Sequence, residues 1–209
     1  MAQTERTVFV VDDDLSVLRS LERLLRAAEY DVEGYASPRA FLENAPMDRP
    51  GCVIVDLRMP ELGGLDLQEE LSQRGFQLPL IFLTGHGDVP SSVRAMKGGA
   101  IDFLSKPCDD TDLLAAVERA LARDAEERAE RAEKETVRAR FASLTPREHE
   151  VCLLVARGLL NKQIAAELGA AEKTVKVHRG RVMEKLGAES VADLVRLVDR
   201  LHVSPERTR

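Results

Sequence analysis

The sequence predicts two domains of different class: a doubly wound α/β domain around a five-stranded parallel sheet, then a smaller all-α domain containing a helix-turn-helix. Three observations carry this. Over the first 122 residues short apolar, β-rich runs alternate with helical patterns, and Val53-Ile54-Val55 and Leu80-Ile81-Phe82-Leu83 lack polar alternation, as strands buried on both faces of a parallel sheet require. From Leu144 onward only helical periodicity remains. The 209 residues suffice for about two domains of roughly 100–150 residues each.

Thr7–Val11 reads as the first strand and Leu15–Ala28 as a helix with Leu18, Leu21, Leu24 and Leu25 on its apolar face. A weaker strand at Asp31–Tyr35 precedes a helix opened by Ser37-Pro38, a cap and first-turn pair. Strand Cys52–Val55, helix Leu65–Gln73, strand Leu78–Leu83, helix Pro90–Lys97, strand Ala100–Leu104 and helix Asp109–Arg123 complete the first domain, residues 1–122. Residues 123–141 are rich in Ala, Glu and Arg and lack Gly and Pro. Asp124–Arg128, Glu127–Arg131 and Glu130–Lys134 are helix-supporting i,i+4 pairs, each contributing roughly 0.2–0.5 kcal/mol. The segment reads as a helical linker, either solvated or paired through a shallow seam of alanines. Thr145-Pro146-Arg147-Glu148 has the residues of a capping box and opens the second domain, residues 142–209. Its helices are expected at Pro146–Arg157, Lys162–Leu168 with Asn161 as cap, Glu172–Leu186 and Val191–Leu201.

Composition narrows the function. No run of eighteen apolar residues occurs, so no membrane-spanning helix is expected. The opening Met-Ala-Gln-Thr-Glu-Arg lacks signal-peptide features, and three widely spaced cysteines, Cys52, Cys108 and Cys152, suit neither a disulfide framework nor a zinc site; a cytoplasmic protein is expected. With no Trp and two Tyr, a stacking platform for single strands is disfavoured. Residues 1–124 carry a net charge of −9 and residues 142–209 one of +3, so the two domains are expected to meet different partners.

The expected strands end in groups suited to chemistry. Asp12, Asp13 and Asp14 follow the first, Asp56 the third and Thr84 the fourth, and Lys106 lies beyond the fifth. In an open parallel sheet these carboxyl ends converge on one crevice. Crowded carboxylates need a cation, and an all-oxygen donor set suits Mg2+. Screened by Mg2+ and Lys106, Asp56 could attack phosphorus and form an aspartyl phosphate, with Thr84 bonding the new phosphoryl group. The bland alternative makes these acids caps and turn residues; their convergence from several strands favours chemistry.

At these residues the sequence resembles the receiver domain of two-component response regulators, from Thr7 to about Leu121. The motifs are Val10-Val11-Asp12-Asp13-Asp14, Val55-Asp56-Leu57-Arg58-Met59-Pro60, Leu83-Thr84-Gly85-His86 and Phe103-Leu104-Ser105-Lys106-Pro107. The resemblance implies a flavodoxin-like fold and phosphorylation of Asp56 by a sensor histidine kinase. It further implies Mg2+ held by Asp13, Asp56 and the Arg58 carbonyl, with Asp12 acting through water. Phe103 stands at the family's switch aromatic, which turns inward when Thr84 engages phosphate; as a plain residue it is a core position of the fifth strand. A cis Lys106-Pro107 peptide is also implied, and Cys108 departs from the Phe often found there.

In helix Glu172–Leu186, at about 100° per residue, Val175, Val182 and Leu186 form the core face, with Lys173, Val177, Gly180 and Arg181 opposite and Thr174 and Lys176 flanking. The exposed Val between cations fits a major groove, or is a stray apolar residue on a charged face. Gly180 in a helix interior costs about 1 kcal/mol relative to Ala; it permits a close approach or is simply tolerated. Lys162 could meet phosphate, and His178 is either a packed or backbone-bonded residue or a phosphate contact. Leu144-Thr145-Pro146-Arg147-Glu148, Gly158-Leu159-Leu160-Asn161-Lys162-Gln163-Ile164-Ala165, Leu168-Gly169 and Lys173-Thr174-Val175-Lys176-Val177-His178 resemble the LuxR-type DNA-binding domain. Together the two domains resemble the NarL/FixJ class of response regulators. This implies contacts to double-stranded promoter DNA around Lys162, Lys173, Thr174, Lys176, Val177, Arg179, Gly180 and Arg181, and dimerisation through the last helix. Ala171 replaces the usual capping Ser.

The expectation is therefore a transcription regulator whose phosphorylation at Asp56 drives homodimerisation and DNA binding, with slow autodephosphorylation as its only turnover. An aspartate-nucleophile phosphohydrolase is the enzyme alternative, but the general acid such enzymes carry two residues on is here Arg58. A phosphorelay or interaction protein whose last helices bind protein is the other.

Overall fold

The computed structural model describes residues 6–46, 48–85 and 89–201. His86, the end of the fourth-strand motif, lies outside them, as do the first five residues and those after Leu201. The chain divides into two compact units, up to Arg128 and from Ala129.

In the first unit, β1 (Thr7–Val11), β2 (Asp31–Tyr35), β3 (Gly51–Val55), β4 (Leu80–Thr84) and β5 (Asp102–Ser105) form one parallel sheet of order β2-β1-β3-β4-β5. Strand residues alternate between two cores. Val8, Val10, Cys52, Ile54, Ile81 and Leu83 pack with helices α1 (Leu15–Ala27) and α5 (Asp110–Ala142). Phe9, Val11, Val53, Val55, Leu80 and Phe82 pack with α2 (Pro38–Asn44), α3 (Gly64–Gln73) and α4 (Val89–Lys97). Both sheet faces are thus covered, which explains the unbroken apolar runs.

Two strands begin later than the periodicity predicts. Leu78 and Pro79 precede β4, Pro79 serving only as acceptor for the Val53 amide at 2.9 Å, and Ala100 and Ile101 precede β5. A larger difference concerns α5, which does not stop at Arg123 but continues to Ala142. Nothing in residues 123–141 breaks a helix, and tertiary contacts hold both parts. Within the first unit Asp124 is buried, accepting from the Gly51 amide at 3.0 Å and from Arg128 Nε at 2.8 Å. Arg128 also donates to the carbonyls of Asp48 and Arg49 at 2.7 and 2.6 Å. Within the second unit, Phe141 packs against the core and Arg140 donates to the Leu186 carbonyl.

The second unit adds α6 (Pro146–Ala156), α7 (Asn161–Glu167), α8 (Glu172–Leu186) and α9 (Val191–Arg200) around a core of Val151, Val155, Ile164, Val175, Val182, Leu186 and Leu194. The Thr145/Glu148 capping box forms, with the Glu148 amide donating to Thr145 Oγ1 and the Thr145 amide to Glu148 Oε2. Asn161 does not cap α7. It is the helix's first residue, Leu160 stands at the cap position, and the Leu160 amide donates to Gln163 Oε1 at 2.8 Å. Ala171 opens α8 without a side-chain cap.

Candidate functional site

The strand order reverses direction between β1 and β3, and there the carboxyl ends of a doubly wound sheet leave a crevice. Val11 and Val55 pair in register, so the next residues, Asp12 and Asp56, stand side by side at its mouth. Lys106 joins them from the end of β5. Its Nζ donates to Asp12 Oδ2 at 2.5 Å and to Asp56 Oδ1 at 2.9 Å. The Lys106 amide donates to the Thr84 carbonyl at 2.7 Å, tying the ends of β4 and β5 together, and the Lys106-Pro107 peptide is cis.

The other carboxylate oxygens accept backbone amides. Asp12 Oδ1 takes the Asp14 amide at 2.9 Å, and Asp56 Oδ2 takes the Arg58 amide at 2.6 Å. Asp12, Asp56 and Thr84 are buried, and Asp13 is exposed at the rim. Asp14 has a structural role, capping α1 by accepting from the Ser16 and Val17 amides. Burial lifts the Asp12 carboxyl above its usual range, against the opposing pull of Lys106 and the Asp14 amide. Burial alone would lower the Lys106 ammonium, but its bonds to the two carboxylates outweigh this and hold it above its ordinary value. Three Asp and one Lys leave a formal double negative charge, which a divalent cation would balance. Among the described residues no three His, Cys, Asp or Glu side chains converge as a ready-made metal cluster. A cation here would be completed by carbonyl and water oxygens, which is how Mg2+ is commonly held.

Two neighbours shape the crevice. Phe103 is half-buried and stacks on Phe82, ring centroids 6.0 Å apart and planes 26° from parallel. Gly64 starts α3 so near Asp56 that a Cβ there would lie 2.3 Å from the Asp56 carbonyl oxygen and 3.0 Å from the Phe82 ring. The sequence reading missed Gly64; the adjacent glycines 63 and 64, shortly after Asp56, were the available signal.

In the second unit, α8 presents Lys173, Thr174, Lys176, Gly180 and Arg181 as exposed residues, with Val177 49% exposed, while Val175, Val182 and Leu186 are buried. Lys162 is exposed in the first turn of α7. Arg179 does not join this face. It is half-buried and donates to Asn161 Oδ1 at 2.9 Å, locking the start of α7 to α8. His178 is packed, its Nδ1 buried without a hydrogen-bond partner among the described residues. At the base of the unit, Lys185 Nζ donates to the buried Glu148 at 2.6 Å, which together with the Thr145 amide holds the Glu148 carboxyl down at about 2. Among the described residues no helix is long and apolar enough to cross a membrane.

The chain matches the response regulator receiver domain over residues 8–118 and the bacterial regulatory proteins of the luxR family over residues 142–198. It is 48% identical over 207 residues to nodulation protein W of Bradyrhizobium diazoefficiens, covering 99% of this chain and 91% of that protein. It is 44% identical over 199 residues to the transcriptional regulatory protein FixJ of Azorhizobium caulinodans, covering 95% and 94%. The solved structure of the response regulator StyR superposes with a TM-score of 0.85 at 48% identity, covering 94% of this chain and 99% of that one. The first unit is thus a receiver, which implies a kinase partner, and the second carries a DNA-binding module. With an acidic crevice at one end of the sequence and a cationic helix face at the other, the chain belongs to the two-component response regulators of the NarL/FixJ class, which regulate transcription in a phosphorylation-dependent way.

Proposed function

We propose that Asp56 is the phosphoacceptor and that its phosphorylation controls dimerisation and promoter binding. The observation that carries this is Lys106 Nζ bridging Asp12 and Asp56 at the switch point of the sheet. A carboxylate oxygen of Asp56 attacks phosphorus on a phosphohistidine of the sensor kinase. The O–P bond forms as the P–N bond breaks, and the departing imidazole nitrogen takes a proton from solvent. Lys106 stays beside Asp56 and offsets the negative charge of the phosphoryl oxygens in flight. Asp13, Asp56 and the Arg58 carbonyl would hold Mg2+, with Asp12 contributing through water, and the ion would supply further charge neutralisation at the phosphoryl group.

Thr84 then engages the phosphoryl group and Phe103 adjusts with it, altering the face of α4 and α5. Val89, Val93 and Met96, 76%, 45% and 48% exposed on α4, give that face an apolar surface suited to a second copy of the chain. A dimer places two α8 helices on paired half-sites, where linked binding multiplies a weak single contact. Lys176, Val177, Gly180 and Arg181 face base edges, Lys162, Lys173 and Thr174 meet phosphates, and Arg179 supports them through Asn161. The only turnover is self-phosphorylation from a small phosphodonor and slow loss of the phosphoryl group.

The test is incubation of the full chain with Mg2+ and acetyl phosphate. One phosphoryl group is expected by intact mass, as a base-labile adduct mapped to Asp56 and absent in Asp56→Asn, together with a rise in dimer fraction and DNA affinity. An unmodified protein, or a modified one with unchanged mass distribution and DNA affinity, overturns the reading.

A further inference from the structure

The outermost ridge of α8 runs Lys173, Val177, Gly180, Glu184, in steps of four, three and four residues, directly away from the buried Val175 and Val182. Gly180 is the low point of that ridge. Most other described glycines have a reason within the fold. A Cβ at Gly51 or Gly64 would come within 2.1 or 2.3 Å of a backbone oxygen, and one at Gly34 or Gly98 would push on the side chains of Glu22 or Gln68. Gly75, Gly99, Gly158, Gly169 and Gly187 sit at positive φ, whereas Gly85 is open but lies in the bend after β4, outside any helix. Gly180 has neither reason. It lies inside a fifteen-residue helix without positive φ, it is exposed, and a Cβ there would meet nothing within 4 Å. The fold would therefore be steadier with Ala at this position.

A residue that weakens its helix and serves no internal contact is either tolerated or kept for a contact outside the chain, and its neighbours on the ridge favour the second. Around Gly180 the exposed surface is Val177, 49% exposed, bordered by the cations Lys173, Lys176 and Arg181, with the single acid Glu184 one turn further along the ridge. Such a face suits a polyanion with an apolar spot at close range, and in double-stranded DNA the apolar group on the major-groove floor is the thymine C5-methyl. We infer that Gly180 is a specificity-determining position: its missing side chain lets α8 sit deeper in the groove and leaves room for one thymine methyl against the helix backbone. The inference rests on α8 being the DNA-reading helix.

The test pairs one added methyl on the protein with one removed from the DNA. Duplexes are selected from a random pool by the acetyl-phosphate-treated full chain, and the best is bound by native protein and Gly180→Ala. The variant is expected to melt at a higher temperature and yet bind the selected duplex about tenfold or more weakly, a difference of roughly 1.4 kcal/mol. Replacing thymine by deoxyuridine at one step of each half-site is expected to restore most of the variant's affinity while giving the native chain no gain. A variant that binds like the native chain, melts lower, or is rescued by deoxyuridine at no step overturns the inference. If the native chain selects no duplex at all, the DNA-reading role of α8 itself fails, and that result is distinct from the loss of Gly180's role.

Discussion

Replacing Asp124 by Ala separates two views of the middle of α5. As an exposed i,i+4 pair, Asp124–Arg128 would contribute about 0.2–0.5 kcal/mol. The structure places it otherwise. The Asp124 side chain is 3% exposed and holds the Gly51 amide at the start of β3, the strand that ends beside Asp56. Truncation leaves the Gly51 amide buried without its acceptor, about 1–3 kcal/mol, and takes the counter-charge from Arg128. Because Arg128 is 26% exposed and keeps the carbonyls of Asp48 and Arg49, the loss should fall short of the roughly 3–5 kcal/mol of a fully buried broken pair. We expect about 2–3 kcal/mol for Asp124→Ala, and less for Asp124→Asn, which keeps an acceptor for Gly51. Urea unfolding followed by tyrosine fluorescence reads this cleanly: the sequence has two tyrosines, Tyr30 and Tyr35, and no Trp, so the signal comes from the first unit alone. With a slope of about 1–3 kcal/mol per molar urea, the midpoint should fall by roughly 0.7–3 M. A loss of less than about 0.5 kcal/mol would show that the pair is no more than an exposed helix pair and that the clamp does not hold α5 to the sheet.

Gly64→Ala forces a Cβ against the Asp56 carbonyl and should slow acetyl-phosphate labelling of Asp56 about tenfold while destabilising the first unit by about 1–3 kcal/mol, measured by intact mass against time and by the same urea titration. Glu148, held at about 2 in the fold against an unperturbed 4.5, binds protons less readily folded than unfolded. Its contribution to the second unit is therefore complete above about pH 4.5 and lost as pH falls toward 2. Removing its cationic partner with Lys185→Met should lower stability at pH 7 and flatten the decline between those limits, followed by far-UV circular dichroism of thermal unfolding; an unchanged pH profile would contradict the assignment.

Much of the site was legible because its parts are local. Apolar runs without polar alternation mark strands covered on both sides, and a parallel sheet brings their carboxyl ends together, so the sequence alone groups Asp12, Asp56, Thr84 and Lys106. The core and outer faces of α8 followed equally from 3.6-residue periodicity, and the α6 cap from four adjacent residues. Strand starts were less legible: Leu78 and Ala100 are apolar because they line the core at the strand entrances, a burial that periodicity cannot distinguish from strand pairing.

Tertiary structure decided the features whose partners lie far along the chain. Asp124 looks like a surface helix pair until Gly51, 73 residues away, is folded against it. Arg179 looks like one more exposed cation of α8 until Asn161, 18 residues away, takes its guanidinium. Glu148 looks like an ordinary capping residue until Lys185, 37 residues on, adds its charge. Backbone preference and hydrophobic spacing act between near neighbours and can be read along one dimension. Which polar groups meet inside a fold depends on how finished elements stack, and those meetings carry no mark in the local sequence.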